Sequence, residues 1–212
     1  MNKILGYGEL MLRLTPSTDN SPNKNITNYS STFAGCEANS LIFLAKRGHD
    51  CEFLSAFPKN ELGMMAKQFL DSNKVKCMVN LDDNRLGIYF TEPGKNNNSF
   101  YSETENSVKY LYNEFDIKFV GMTVRNGNSL SGLVFDKSKI YKGEIYKLKH
   151  VDRVGAGDSF LGACLHGIIN KWDMSKIVSF ATSTFASSHL ISGDLNYLND
   201  EEIENFKKNK SF

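Results

Sequence analysis

The stretch Asp152-Arg153-Val154-Gly155-Ala156-Gly157-Asp158-Ser159-Phe160 joins a strand-like segment to the strongest helical pattern in the chain. Two glycines around one small residue let the backbone turn sharply and leave no side chain between a ligand and the amides. The N–H groups of Ala156, Gly157 and Asp158 then stand at a helix N-terminus, where free donors and the helix dipole both favour an anion. Asp158 is placed at or near the N-cap. Two readings stay open on these residues alone. In one, Asp158 only caps the helix and the glycines only make the turn. In the other, the carboxylate takes a proton from an attacking hydroxyl while the amides hold a phosphoryl group.

Downstream, Phe160, Cys164 and Ile168 form one helical stripe and Leu161, Leu165 and Ile169 the next, so a helix follows Asp158. A second helix is expected from Ser175 to Leu190, closed by Gly193, with Ala181, Ser183, Ala186, Ser187 and Ser188 small enough for close packing. A charged surface helix is expected from Asp200 to about Lys207. Upstream, Lys3 to Leu14 reads as a strand and Thr15 to Lys24 as a loop. Ala38, Leu41, Ile42 and Ala45 mark a helix from Glu37 to Arg47 that Gly48 closes. Cys51 to Phe57 reads as a strand and Leu62 to Asn73 as a helix, giving the strand–helix–strand–helix rhythm of an α/β sheet. Arg85 to Thr91 and Ser99 to Glu103 flank the turn Gly94-Lys95-Asn96-Asn97-Asn98 and read as a hairpin. Lys118 to Val124 reads as a buried strand, and Gly132 to Phe135 and Lys139 to Tyr146 as short antiparallel strands.

With 212 residues, 41% hydrophobic and 23% charged, the composition is that of an ordinary globular protein. A formal net charge of +1 gives no electrostatic reason to expect nucleic acid or a membrane surface as partner. The start of the chain reads as neither a signal peptide nor a membrane span. Cys36, Cys51, Cys77 and Cys164 are scattered, with no C-x-x-C pair and no histidine at ligand spacing, which points to reduced thiols in a cytoplasmic protein and to no protein metal site.

The stretch around Asp158 resembles the C-terminal signature of PfkB (ribokinase-like) carbohydrate kinases. Ala34-Gly35-Cys36-Glu37-Ala38-Asn39 resembles their N-terminal signature. Within the family, Gly8-Glu9-Leu10-Met11-Leu12-Arg13-Leu14, Glu37-Ala38-Asn39, Leu86-Gly87-Ile88-Tyr89-Phe90, Asp152-Arg153-Val154 and Gly193-Asp194-Leu195-Asn196 are similar to the 2-keto-3-deoxygluconate kinase branch. The resemblance implies one α/β domain over residues 1–212, a ribokinase-like three-layer sandwich with a small β lid at about 82–104. It also implies ATP and Mg²⁺ as cofactors, a sugar or sugar acid as substrate and a homodimer through the lid. Asp158 would be the base, and Gly155, Ala156 and Gly157 the anion hole. Gly35, Asn39, Tyr89 and Asp194 would contact the sugar acid, and Thr123 and Arg125 would lie toward the nucleotide.

Two departures qualify what is expected. Relatives are roughly half as long again, and the missing block falls near 108–111, which shortens the central sheet. That block would carry the Asn/Glu motif that organises Mg²⁺ and phosphate, and an arginine that clamps substrate and ATP. Tyr101-Ser102-Glu103-Thr104-Glu105 also lacks the family's arginine for the substrate carboxylate; all five arginines (Arg13, Arg47, Arg85, Arg125, Arg153) lie elsewhere. The sequence therefore carries three readings: a 2-keto-3-deoxygluconate kinase of weakened activity, a non-catalytic remnant that binds a ligand or partner, and a kinase for a neutral sugar such as fructose.

Overall fold

Local patterning builds each element. The computed structural model describes residues 3–16, 28–91, 101–115, 117–136, 139–149 and 151–210, in two compact units, residues 1–95 and 96–212.

In the first unit, β1 (Lys3–Tyr7), β4 (Asp50–Pro58) and β5 (Val75–Asp82) form a parallel sheet in the order β1-β4-β5. Helices α1 (Cys36–Ala45) and α2 (Glu61–Ser72) pack on it. Strand alternation divides the sheet's faces: Cys51, Phe53, Phe57 and Val75 are buried, whereas Leu5, Tyr7, Leu54 and Met78 are exposed. A second sheet, ordered β3-β2-β6, joins β2 (Met11–Pro16), β3 (Tyr29–Ala34) and β6 (Ile88–Phe90), with β2 antiparallel to β3 and parallel to β6.

The second unit is a three-layer sandwich of its own. Strands β7 (Phe119–Asn126), β8 (Ser129–Asp136), β9 (Lys139–Lys142) and β10 (Tyr146–Lys147) form an antiparallel sheet in which β7 is an edge. One face presents Val120, Val124, Leu133 and Phe135 to Val108, Leu111 and Tyr112 of α3 (Tyr101–Glu114). On the other, Gly121 and Gly132 lie against the Phe160 ring of α4 (Ala156–Ile169). Helix α5 (Met174–Ser188) packs on α4 and β8, and its small residues are buried as expected. Helix α6 (Asp200–Asn209) completes the unit behind α5, started by a reciprocal capping box between Asn199 and Glu202.

Several expectations need correction. The strand read from Lys3 to Leu14 is two strands in different sheets. The hairpin keeps only its first arm, β6, which pairs in parallel with β2; Tyr101 to Glu103, read as part of the second arm, opens helix α3. Thr104 and Val108 are buried one turn apart while Asn106, which a strand would place on the same face, is exposed. The turn Gly94–Asn98 and most of the loop before Lys24 lie outside the described residues. Helix α6 is not merely surface: Ile203 and Phe206 are buried, and Phe206 stacks on Tyr146 at 5.4 Å between ring centroids.

Candidate active site

The turn into α4 is made by Gly155, whose φ of 75° is left-handed. Gly155 is the N-cap residue and has no side chain to fold back on the helix amides, so those of Ala156, Gly157 and Asp158 stand at the helix start. Asp158 is the third helical residue, near the N-cap as expected. The carboxylate therefore shares the first turn with the amide cradle, and it is half-buried. The turn is closed from within by Ser159, whose amide and hydroxyl both donate to the Gly155 carbonyl, at 2.9 and 3.0 Å.

Two further segments hold this turn in place. Asp152 Oδ1 accepts from the amides of Arg153 (2.6 Å) and Val154 (3.2 Å), while Oδ2 accepts from the Gly193 amide (3.1 Å). The Asp194 backbone lies directly against Gly155, leaving no room for a side chain there. Asn196 then anchors the segment to the end of α5, donating from Nδ2 to the Thr184 carbonyl (3.2 Å), Ser187 Oγ (3.2 Å) and Ser188 Oγ (2.8 Å). The small residues of α5 make that approach feasible. The quoted Gly193-Asp194-Leu195-Asn196 stretch is thus the floor of the cradle, with Asp194 5% exposed.

Thr123 on β7 and Gly157 both line an apolar groove of about 640 Å³, walled by Phe119, Met122, Phe160, Leu161 and Leu165. Arg125, at the end of β7, places its guanidinium 4.8 Å from the centroid of the Phe185 ring. Burial, and then the nearby positive charge of Arg153, hold the Arg125 pKa below the usual guanidinium value. The structure accordingly brings together Asp158, Gly155, Ala156, Gly157, Asp194, Thr123 and Arg125 in one unit. Sequence reasoning gave no role to Asp152 or Arg153. The signal for Asp152 was its place ahead of a glycine turn, but its tertiary acceptor role depends on Gly193, 41 residues away.

The remaining candidates belong to the first unit. Gly35 is the N-cap of α1 in extended geometry, and its carbonyl accepts from the Asn39 amide at 2.8 Å. Its missing Cβ lets the chain lie on the Glu9 carbonyl. Asn39 is buried in the first turn, 5% exposed. Tyr89 is half-buried on β6, in register with Arg13 of β2. Arg13 is only 2% exposed and donates from Nε to Thr15 Oγ1 at 3.0 Å. The acids expected to repel an anionic sugar are partly answered: Glu105 pairs with Lys142 at 2.5 Å.

These residues fit a nucleotide's phosphates. A Cβ built on Gly157 would meet nothing within 4 Å, so the cradle opens on free space beside three amides. For a metal, no three His, Cys, Asp or Glu side chains converge among the described residues. Magnesium would therefore be carried mainly by the phosphates, as it commonly is.

Residues 1–122 match the pfkB family carbohydrate kinases. No curated protein matches the chain by sequence. Among solved structures, 2-dehydro-3-deoxygluconokinase from Thermotoga maritima is 23% identical, with a TM-score of 0.83 over 97% of this chain and 99% of that one. A PfkB family carbohydrate kinase from Listeria grayi is 21% identical, with a TM-score of 0.80 over 98% of this chain and all of that one. Phosphofructokinase-2 from Escherichia coli is 11% identical, with a TM-score of 0.77 over 99% of each. At these identities the structures establish a shared ribokinase-like fold. The sequence match, which covers more than half of the residues, establishes that this chain belongs to the pfkB family of carbohydrate kinases.

Proposed function

We propose that this chain transfers the γ-phosphoryl group of ATP to a hydroxyl of a sugar acid, with 2-keto-3-deoxygluconate as substrate and its 6-phosphate as product. The observation that carries the reading is the placement of the Asp158 carboxylate in the same helical turn as the open amide cradle. ATP with Mg²⁺ supplies the phosphoryl group and part of the neutralising charge. Asp158 accepts the proton of the attacking hydroxyl, and the amides of Ala156, Gly157 and Asp158 donate to the phosphoryl oxygens as charge moves onto them. The dipole of α4 acts in the same direction. Thr123 and Arg125 are assigned to the nucleotide, whose nucleoside the apolar groove beyond Gly157 suits. Gly35, Asn39 and Tyr89 are assigned to the sugar acid, with Asp194 a further contact.

The choice of sugar acid rests on the branch motifs around Glu9, Glu37 and Tyr89, since the similar folds include enzymes named for different sugars. Turnover is slow on this reading. Phosphoryl transfer depends on positioning and charge neutralisation, and the described residues hold no carboxylate cluster to organise a metal. A coupled assay that follows ADP release with ATP, Mg²⁺ and 2-keto-3-deoxygluconate tests it. Activity that requires the sugar acid and vanishes in Asp158→Asn supports the proposal. Fructose phosphorylated in preference moves the assignment to a neutral sugar. Thermal stabilisation by the ligands without any turnover leaves a binding module.

A further inference from the structure

Strand β9 gives the second unit a surface that phosphoryl transfer leaves unused. It pairs with β8 alone, in the register Leu133 with Lys142 through Asp136 with Lys139, so its other side is a sheet edge among the described residues. The Gly143 amide donates to the Gly132 carbonyl at 2.8 Å, one pair beyond that ladder. Bonded and non-bonded pairs alternate between antiparallel strands, so Tyr141 bonds to Val134 and Ile140 turns its N–H and C=O outward. Side chains alternate as well. Ile140 packs on the α3 side of the sheet and Lys142 pairs with Glu105 of α3, which sends Lys139 and Tyr141 to the opposite face. There the Lys139 ammonium lies 5.0 Å from the centroid of the Tyr141 ring. On that face the edge and the first half of α5 border a groove of about 320 Å³, lined by Lys139, Tyr141, Glu144, Ser175, Val178 and Ser179. Lys139 and Glu144 are both exposed.

We propose that this edge binds a second copy of the chain, β9 pairing antiparallel with the partner's β9 about a two-fold axis at Tyr141. In that register the two Tyr141 side chains meet as a non-bonded pair, the closer kind across a ladder. Ile140 lies opposite the partner's Lys142 and takes its ladder bonds there. The partner's Lys139 lies opposite Gly143, beside the Glu144 that lines the groove. Each copy thus offers a carboxylate to the ammonium of the other, twice by symmetry. The neighbouring registers of the same phase lose this charge match. Centring the axis on Ile140 moves Lys139 two residues away from Glu144, and centring it on Lys142 sets that lysine against itself. The contact is short, which suits a reversible dimer at the small end of specific interfaces. It uses no residue of the lid. A protective role for the lysines makes the opposite prediction, since edge lysines also discourage pairing and would keep the chain monomeric.

Sedimentation equilibrium of the full chain tests the pairing, with circular dichroism and the melting temperature showing that each variant folds. The wild type should form a reversible dimer. Lys139→Glu and Glu144→Lys each turn two attractive pairs into two repulsive ones, and each should weaken dimerisation about thirtyfold. An equimolar mixture of the two single variants restores both attractive pairs, as does one chain carrying both substitutions. Both should therefore recover a dimer near wild-type strength. Should one single variant fail to fold, the other single variant and the doubly substituted chain carry the same comparison. A monomeric wild type overturns the proposal. So does a dimer that the single substitutions leave intact, or one that neither the mixture nor the doubly substituted chain restores.

Discussion

Substituting alanine at Gly155 and at Gly157 should have opposite effects on stability, because the two glycines are required for different reasons. At Gly155 the backbone has φ 75°, and a Cβ would sit 2.7 Å from the Asp194 Cα and overlap the Asp194 carbonyl. Alanine in the left-handed region costs about 1–2 kcal/mol. Displacing a backbone neighbour adds an overpacking cost of about 1–3 kcal/mol. Gly155→Ala should therefore lose about 2–5 kcal/mol and loosen the 193–196 segment with it. Gly157 is already helical, and its Cβ would meet nothing within 4 Å. Gly157→Ala should gain up to about 1 kcal/mol from reduced chain entropy. The same methyl group projects where a phosphoryl group would approach, so affinity for ATP should fall although the fold is firmer. Urea titration gives the stabilities and calorimetry gives the affinities. If Gly155→Ala lies within about 0.5 kcal/mol of wild type, or Gly157→Ala keeps full ATP affinity, the cradle geometry argued above is wrong.

Other substitutions probe the supports of the site. Asp152→Ala removes the acceptor for three amides, two local and one on Gly193, and should cost about 1–3 kcal/mol in a urea titration, with weakened ATP binding. Asn196→Ala strips the donor shared by Thr184, Ser187 and Ser188, and should destabilise by a similar amount, about 1–3 kcal/mol. The thiols should divide by burial. Burial, with help from Asp50, pushes Cys51 up to about 11; burial, with help from Asp71, does the same for Cys77; and burial raises Cys164 further still. At pH 8 a thiol reagent should modify exposed Cys36 first and the other three only slowly. Because those three stay protonated in the folded chain above the unfolded thiol value of about 8.5, the unfolded state loses protons first. Stability should then fall as pH rises from about 8.5 toward 11, as urea titrations across that range would show.

What the sequence disclosed follows from how local each signal is. The helix after Asp158 was legible because two apolar stripes and a Gly-Ala-Gly turn lie within one stretch. The left-handed Gly155 is the same kind of signal, since few other residues tolerate that φ. The opening strand was misread because Leu5 to Leu14 is apolar almost throughout, and nothing local says that its halves join different sheets. Tyr101 to Glu114 was partly misread as strand because an Asn-rich turn precedes it; its helical period shows only when Thr104, Val108 and Leu111 are counted together. Ile203 and Phe206 are three apart within a charged stretch, a narrow stripe that suffices to bury α6 against α5. The role of Asp152 was not legible at all. Its partner, the Gly193 amide, is 41 residues away in sequence and is brought to it only by the fold.

The central claim is that Asp158 and its neighbouring amides transfer phosphate to a sugar acid. Direct detection of the product tests it best: ³¹P NMR of a prolonged incubation of the full chain with ATP, Mg²⁺ and 2-keto-3-deoxygluconate, beside the Asp158→Asn variant. The account predicts a slowly growing sugar phosphomonoester signal with matching ADP in the wild type, and none in a variant that still binds ATP. Equal signals from both proteins, or no phosphomonoester from a wild-type chain shown to bind both substrates, would contradict it.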